Sequence, residues 1–266
     1  MLCSADEAGP SIMRVPIIGM IASHIDHQER LVAFRRCLRS IKFQRIPLTR
    51  LYISCSGILH EQAAIAIAEE MKGDNSVCSI HGAKPQSQFS HFRALLDIVH
   101  DEQPRSTFIL FGDDDDIWDR ERVAVYIDLL ANQPQDVDGL SLEWAAMPCI
   151  AQEAVMQSAV DELLQHGLAG IKHMSVYWMI ACTVAALGAF FEAVPIPLVQ
   201  SKFCDIAFKN YMLDRMHCVR FEADSHEARS LVAKGHWLMF YDNIGDTSED
   251  EDEVELRGCT RENRYE

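Results

Sequence analysis

The stretch FILFGDDDDIW, residues 108–118, joins an apolar run to four consecutive aspartates. The apolar run is typical of a buried β-strand, and it ends at Gly112, where Asp113 to Asp116 begin. Four adjacent carboxylates repel one another, so a bound cation would compensate their charge. Mg²⁺ and Mn²⁺ prefer oxygen ligands and are usually held by one or two carboxylates together with substrate phosphates. The stretch therefore predicts a metal–phosphate site at the carboxyl end of a strand.

The alternative for this acidic run is a solvated loop that binds nothing, which is the usual fate of such runs. The residues on either side favour the site. A buried type of strand precedes the aspartates, and Ile117-Trp118 followed by a predicted helix comes after them. A free surface loop does not need apolar sequence on both sides.

Strands and helices alternate over the first 131 residues. The predicted strands are Val15 to Ala22, Leu51 to Ser56, Val77 to Ile80 and Thr107 to Phe111, and the predicted helices are Gln28 to Lys42, Glu61 to Met71, Phe89 to His100 and Arg120 to Ala131. This alternation indicates a parallel sheet with right-handed crossovers, whose ligands bind beyond the carboxyl ends of the strands. Polar turns stand at all four ends, namely Ser23-His24, Ser56, residues 81–88 and Asp113–Asp116. The sequence therefore predicts one ligand-binding rim.

The second half of the chain alternates less regularly. Its predicted strands are Gly139 to Trp144, Met174 to Val184 and Trp237 to Tyr241, and its predicted helices are Glu153 to His166, Ala185 to Val194 and Phe203 to Met216. No linker separates the halves, so we expect one α/β domain with a mainly parallel central sheet flanked by helices. Its functional halves are residues 1–131 and 132–245. Residues 246–266 begin with seven acidic residues between Asp246 and Glu255 and predict a flexible acidic tail.

The composition narrows the possible partners and compartment. A formal net charge of −16 argues against nucleic-acid binding. The nine cysteines include no C-x-x-C pair, and the chain opens without a signal peptide, so we expect reduced thiols, no zinc site and a cytoplasmic protein. Residues 174–191 carry no charge, but their β-prone first half and helix-prone second half predict a buried strand followed by a buried helix rather than a membrane span.

Three segments resemble the GT-A glycosyltransferases of the large family 2 type. They are ERLVAFRRCLRSIKFQ at residues 29–44, FSHFRALLDIV at 89–99 and FILFGDDDDIWDRERV at 108–123, and the last resembles the D-x-D strand of that family. The resemblance covers residues 14 to 131. It implies a single GT-A-like, Rossmann-like domain, in which Mn²⁺ or Mg²⁺ bridges the diphosphate of a UDP-sugar. The implied activity is hexosyl or pentosyl transfer to a hydroxyl of a glycan or another acceptor, with inversion.

The resemblance also implies roles for residues on the donor side. Asp115 would be the main metal ligand and Asp113 would contact the ribose or the metal, while Asp114 and Asp116 could substitute for either. Ala22, Ser23 and His24 would lie against the uracil or ribose. Ser56 stands where the family usually has an acidic residue, and His91, with Arg93 as its rival, stands where many members have arginine.

On the acceptor side the resemblance implies a catalytic base and a further metal ligand. Asp205, at the start of a predicted helix, is the candidate base that takes the proton from the acceptor hydroxyl, with Glu143 and Asp224 as rivals. Its alternative is a structural role at a helix N-terminus. His236, just before a predicted strand, would complete the metal shell, with His217 and His226 as alternatives.

Two other functions remain open. A nucleotidyltransferase also builds a metal–phosphate site on such a sheet, but the turn from Ser23 to His27 lacks the glycine-rich signature expected there. A non-catalytic module that binds carbohydrate or protein is the other alternative. A dinucleotide-binding site is excluded because no G-x-G-x-x-G follows the first strand.

Overall fold

The computed structural model describes residues 15–143, 177–222 and 239–241. The described strands are β1 Ile17–His24, β2 Arg50–Ser56, β3 Val77–Gly82, β4 Phe108–Asp113, β5 Asp116–Trp118, β6 Gly139–Glu143, β7 Ile180–Thr183, β8 Cys218–Glu222 and β9 Met239–Tyr241. The described helices are α1 Gln28–Lys42, α2 His60–Glu70, α3 Gln88–Glu102, α4 Arg122–Ala131, α5 Val184–Ala193, α6 Ile196–Val199 and α7 Cys204–Arg215, with a 3₁₀ turn at Tyr177–Met179.

Seven of these strands form one sheet in the order β3-β2-β1-β4-β7-β6-β8. The first four pair in parallel, and β8 pairs in parallel with β6. Only β7 runs the other way, because it pairs antiparallel with both β4 and β6. The predicted α/β class with a mainly parallel sheet is confirmed.

The sheet is apolar on both faces because helices cover both. Along β1, Ile17 and Ile21 pack into one cluster with residues of α1, α2 and α4. Ile18 and Met20 point the opposite way and pack into a second cluster with residues of α3, α5 and α7. Alternate side chains of a strand face opposite sides, so a strand buried on both faces reads as a continuous apolar run. This explains the apolar runs from which the strands were predicted.

The second half departs from the sequence prediction in its details. Where it is described, the strand expected at Met174 to Val184 is a 3₁₀ turn over Tyr177–Met179 followed by the shorter β7, and Val184 begins α5. Three short elements were not predicted from the sequence, namely β5, β8 and α6, all of which are five residues long or less. The helix predicted at 153–166, the start of the strand predicted at 237–241 and the acidic tail lie outside the described residues.

The side chains of Trp118 and Arg122 pack against the end of β4. A Cβ on Gly112 would lie 2.6 Å from Nε1 of Trp118, so only glycine lets the indole pack against this strand. The Arg122 guanidinium stacks on the Trp118 ring at 3.9 Å from its centroid, and its Nη2 donates to the Phe111 carbonyl at 2.8 Å. These contacts hold β5 beneath β4, with the aspartates in the turn between them.

Within the described ranges, no helix has both the length and the apolar character needed to cross a membrane. The uncharged run 174–191, where it is described, consists of the 3₁₀ turn, β7 and part of α5.

Candidate functional site

The four aspartates form the turn from β4 to β5, and their carboxylates point in two directions. Asp113, Asp115 and Asp116 each offer one carboxylate oxygen, and these oxygens all lie within 4.8 Å of one another. We call these three residues the aspartate cluster. Asp114 lies apart from it and is fully buried. The cluster stands at the carboxyl end of β4, on the rim that the sequence predicted.

Asp114 is held by the first strand and the first helix. Its Oδ2 accepts hydrogen bonds from Ser23 Oγ at 2.9 Å and the His24 amide at 3.3 Å. Arg30 donates to both carboxylate oxygens, from Nε and Nη2, at 2.9 Å each. Burial alone would lower the pKa of Arg30, but the hydrogen bond and the negative charge of Asp114 raise it above its ordinary value. The expectation that Asp114 could substitute as a metal ligand therefore does not fit its place in the structure.

Asp113 and Asp116 are carboxylates in a setting that disfavours their charged forms. Oδ1 of Asp113 accepts hydrogen bonds from the Tyr177 hydroxyl, at 2.6 Å, and from the Gln88 side-chain amide. Burial raises the pKa of both aspartates, and the mutual repulsion of the cluster raises it further. A divalent cation would reverse this effect because it stabilises the charged carboxylates.

The donor set fits such a cation. Asp116 is fully buried, and its Oδ2 accepts from the Asp113 amide at 3.1 Å. Its Oδ1 has no hydrogen-bond partner among the described residues. A buried carboxylate oxygen without a partner is costly, whereas a hard cation prefers oxygen ligands. The cluster could therefore hold Mg²⁺ or Mn²⁺, and Asp113 and Asp115 would supply the other oxygens.

A hydrogen-bonded relay lies beside the cluster at the ends of β1 and β2. His24 contacts Asp26 through Nε2 at 2.5 Å and Ser56 Oγ through Nδ1 at 2.8 Å. Ser56 Oγ also contacts His91 Nε2 at 3.0 Å, and His91 Nδ1 contacts Ser54 Oγ at 2.7 Å. We call these five residues the imidazole relay. It connects a surface carboxylate to the buried face of α3.

His91 is buried too deeply to contact a bound ligand such as a nucleotide. Its side chain is 1% exposed and both ring nitrogens contact serine hydroxyls. Burial, followed by the nearby charge of His24, lowers the pKa of His91 to about 4, so the ring is neutral. Arg93, the rival for the same role, lies two residues further along α3 and is exposed on a different face of the helix. The structure thus brings Ser23, His24 and Ser56 together, with His91 beneath them.

Ala22 is brought to the same place by the sheet register. It is buried, and it pairs directly with Asp113 across β1 and β4. Its backbone is therefore next to the cluster, and its contact with the uracil or ribose stays a prediction.

Asp205 lies in the first turn of α7 and is half-buried. Burial raises its pKa, although the Ile206 amide and the charge of Lys209 oppose this. Its helix packs against the 3₁₀ turn that carries Tyr177, and Tyr177 contacts Asp113. The helix that carries Asp205 thus packs against the turn that contacts the aspartate cluster, but Asp205 is not a member of the cluster.

The remaining acceptor-side candidates divide into two groups. Asp224, His226 and His236 lie outside the described residues, and of Glu143 only the backbone, at the end of β6, is described. His217 immediately precedes β8, which runs in the same direction as β4, so it lies at the amino edge of the sheet. That is the edge opposite the cluster, and the suggestion that His217 completes the metal shell is wrong.

Three residues that contact the aspartates were not identified from the sequence. Arg30 and Gln88 lie in the first turns of α1 and α3, which begin at the rim, and this position is a signal that could have identified them. Tyr177 lies in the uncharged run, and no local pattern marks it.

Comparison with known proteins gives distant structural matches only. No family model and no curated protein matches the sequence. Among solved structures, glucosyl-3-phosphoglycerate synthase from Mycobacterium tuberculosis matches with a TM-score of 0.48 and 12% identity, over 78% of this chain and 70% of that one. A second structure of the same synthase, in complex with Mn²⁺, UDP and glucosyl-3-phosphoglycerate, matches with a TM-score of 0.47. TarS from S. aureus matches with a TM-score of 0.46 and 13% identity over 79% of this chain, which spans about a third (35%) of TarS. These values describe a distant likeness.

Proposed function

We propose that this chain is a metal-dependent glycosyltransferase that transfers a hexose or pentose from a UDP-sugar to a hydroxyl acceptor, such as a glycan. One observation carries the proposal. Three carboxylates converge at the carboxyl end of β4, and one buried oxygen among them has no hydrogen-bond partner within the described part of the chain. Such a site suits a cation that binds a diphosphate, and the resemblance of residues 108–123 to a D-x-D strand supplies the nucleotide-sugar class.

Asp113, Asp115 and Asp116 would hold Mn²⁺ or Mg²⁺, and His236 is proposed as a further ligand. When bound, the metal would stabilise the negative charge that develops on the departing diphosphate. The chain's own contribution is orientation. The Tyr177 hydroxyl and the Gln88 amide direct Asp113, and the Asp113 amide directs Asp116.

The uridine would lie over the ends of β1 and β2, within the donor half at residues 1–131. Ser23, His24 and Ser56 stand there beside the cluster because β1 pairs with both β2 and β4. The buried His91 fixes Ser54 and Ser56 from below. A rigid floor lowers the conformational entropy lost on binding, so this support favours donor affinity.

Asp205 is proposed as the base that accepts the acceptor's hydroxyl proton, within the acceptor half at residues 132–245. Its pKa is raised by burial, and a carboxylate with a raised pKa is a stronger base. Attack by the hydroxyl on the face of the sugar opposite the departing diphosphate gives inversion. The position of Asp205 on a helix that packs against the Tyr177 turn supports this role.

A thermal-shift panel with and without Mn²⁺ tests the proposal. The panel compares UDP-sugars with ADP- and GDP-sugars, and a donor at 100 times its Kd should stabilise the protein by about 2.7 kcal/mol. We expect a Mn²⁺-dependent rise with a UDP-sugar, and Mn²⁺-dependent release of UDP from that donor. Asp115→Asn should abolish both, whereas Asp128→Asn, an exposed aspartate on α4, should change neither.

Different failures have different meanings. Stabilisation by an ADP- or GDP-sugar alone would contradict the donor assignment. Binding of Mn²⁺ and UDP without turnover of any sugar would support a non-catalytic module instead. Pyrophosphate release from a nucleoside triphosphate would support a nucleotidyltransferase.

A further inference from the structure

The ion pair between Arg30 and Asp114 joins the first helix to the acidic turn. Asp114 has 1% of its side chain exposed and Arg30 has 31%, so the carboxylate is buried and the guanidinium lies at the rim. The pairing is bidentate, which is the strongest and most directional form of a carboxylate–guanidinium contact. Ser23 Oγ and the His24 amide also donate to Oδ2 of Asp114. Both oxygens of Asp114 therefore accept hydrogen bonds, and its charge is paired, without a metal ion.

The direction of the Asp114 side chain is linked to that of its neighbours. Asp114 and Asp115 are the two central residues of the turn between β4 and β5. With Asp114 directed inward to Arg30, one carboxylate oxygen from each of Asp113, Asp115 and Asp116 lies within 4.8 Å of the others. A buried charge without a partner is strongly unfavourable, so Asp114 would leave its position if Arg30 were absent. The turn would then lose the contact that sets its orientation.

We propose that Arg30 is a positioning residue for metal binding: by holding Asp114 inward it keeps the three other aspartates convergent. This inference rests on the proposed function, because it assumes that the aspartate cluster binds a divalent cation. Arg30 does not touch the cation in this account. It acts through Asp114, in the way that outer groups orient metal ligands in other proteins.

The sign of the effect separates positioning from simple electrostatics. Arg30 carries a positive charge close to the cluster, so its removal alone should make Mn²⁺ bind more tightly if the geometry of the turn were unchanged. Positioning predicts the opposite result. Loss of an outer residue that orients metal ligands typically weakens metal affinity by about 10–100-fold.

The experiment measures Mn²⁺ binding to the full chain by isothermal titration calorimetry, without a sugar donor. We expect Arg30→Gln to weaken Mn²⁺ binding by about tenfold or more. The double variant Arg30→Gln with Asp114→Asn restores a neutral, hydrogen-bonded pair and should recover most of the affinity. Arg35→Gln is the matched control, because Arg35 is on the same helix but pairs with Glu69 and Glu70, and it should bind as the wild type does.

Arg30→Lys provides a second variant in case Arg30→Gln does not fold. It keeps the charge but loses the bidentate geometry, so weaker Mn²⁺ binding by the folded protein supports positioning. Unchanged or tighter binding by Arg30→Gln or Arg30→Lys would overturn the inference while leaving the proposed function intact. No Mn²⁺ binding by the wild type would overturn both.

Discussion

Acidification should destabilise this protein through the neutral, buried ring of His91. The side chain is 1% exposed and lies between Ser54 and Ser56, and burial lowers its pKa to about 4 from its ordinary value of 6.5. Between these two values the unfolded chain binds a proton at this residue and the folded chain does not. Falling pH therefore favours the unfolded state, and the stabilising contribution present above pH 6.5 is lost as the pH falls toward 4.

The size of the effect follows from the two pKa values. At pH 5, a histidine with a pKa of 6.5 when unfolded and about 4 when folded shifts the folding equilibrium about 30-fold, which is about 2 kcal/mol. At pH 4 the loss reaches about 3 kcal/mol. Both figures are a large part of the 5–15 kcal/mol that typically stabilises a domain.

Urea unfolding at pH 7.5 and pH 5 measures this contribution when the wild type is compared with a variant that lacks only His91. The contributions of the other titrating groups then cancel. The difference in free energy of unfolding between the wild type and His91→Gln should shrink by about 2 kcal/mol from the higher to the lower pH, because glutamine does not titrate. His100→Gln, an exposed histidine on the same helix, controls for the substitution itself. A difference between wild type and His91→Gln that stays constant with pH would refute the buried, neutral state of His91.

Three further substitutions test the packing and the charge of the site. Gly112→Ala should lower the free energy of unfolding by about 1–3 kcal/mol, because its Cβ would lie 2.6 Å from Nε1 of Trp118; an unchanged urea midpoint would contradict this packing. Gly57→Ala should cost about 1 kcal/mol or more, because Gly57 has φ +101° and a Cβ there would lie 2.5 Å from the Ile25 carbonyl oxygen, and equal stability by the same assay would argue against this backbone conformation. Asp116→Asn should raise the melting temperature of the metal-free protein at pH 8, because a buried acid with a raised pKa destabilises the fold as pH rises above its unfolded pKa. A lower melting temperature for this variant in calorimetry would mean that Asp116 is not an unfavourable buried charge.

The sequence predicted those strands and helices whose apolar residues follow a clear pattern. The apolar runs of β1, β2 and β4 and the amphipathic helices between them determine the parallel half of the sheet, because a strand buried on both faces must be apolar throughout. Strand β5 has only three residues and pairs with β9, far along the chain. No local pattern distinguishes so short a strand from a loop.

The sequence predicted where the aspartates lie in the fold but not how the side chains around them are arranged. Four identical aspartates carry no information about which of them turns inward, and that choice is made by Arg30, 84 positions away in the sequence. The position of His91 likewise depends on serines of β2 that are 35 and 37 positions distant. Such long-range contacts form only when the sheet has assembled, so a search along the sequence finds the candidate residues but not their partners.

The proposed function requires that the aspartate cluster holds a divalent cation and that this cation binds a diphosphate. Anomalous diffraction from a crystal grown with Mn²⁺ and UDP tests it most directly. We expect one manganese peak within coordination distance of carboxylate oxygens of Asp113, Asp115 and Asp116 and of the UDP phosphates, with Asp114 still paired to Arg30. A crystal containing both ligands in excess, with no peak at this turn or with manganese bound elsewhere, would contradict the account.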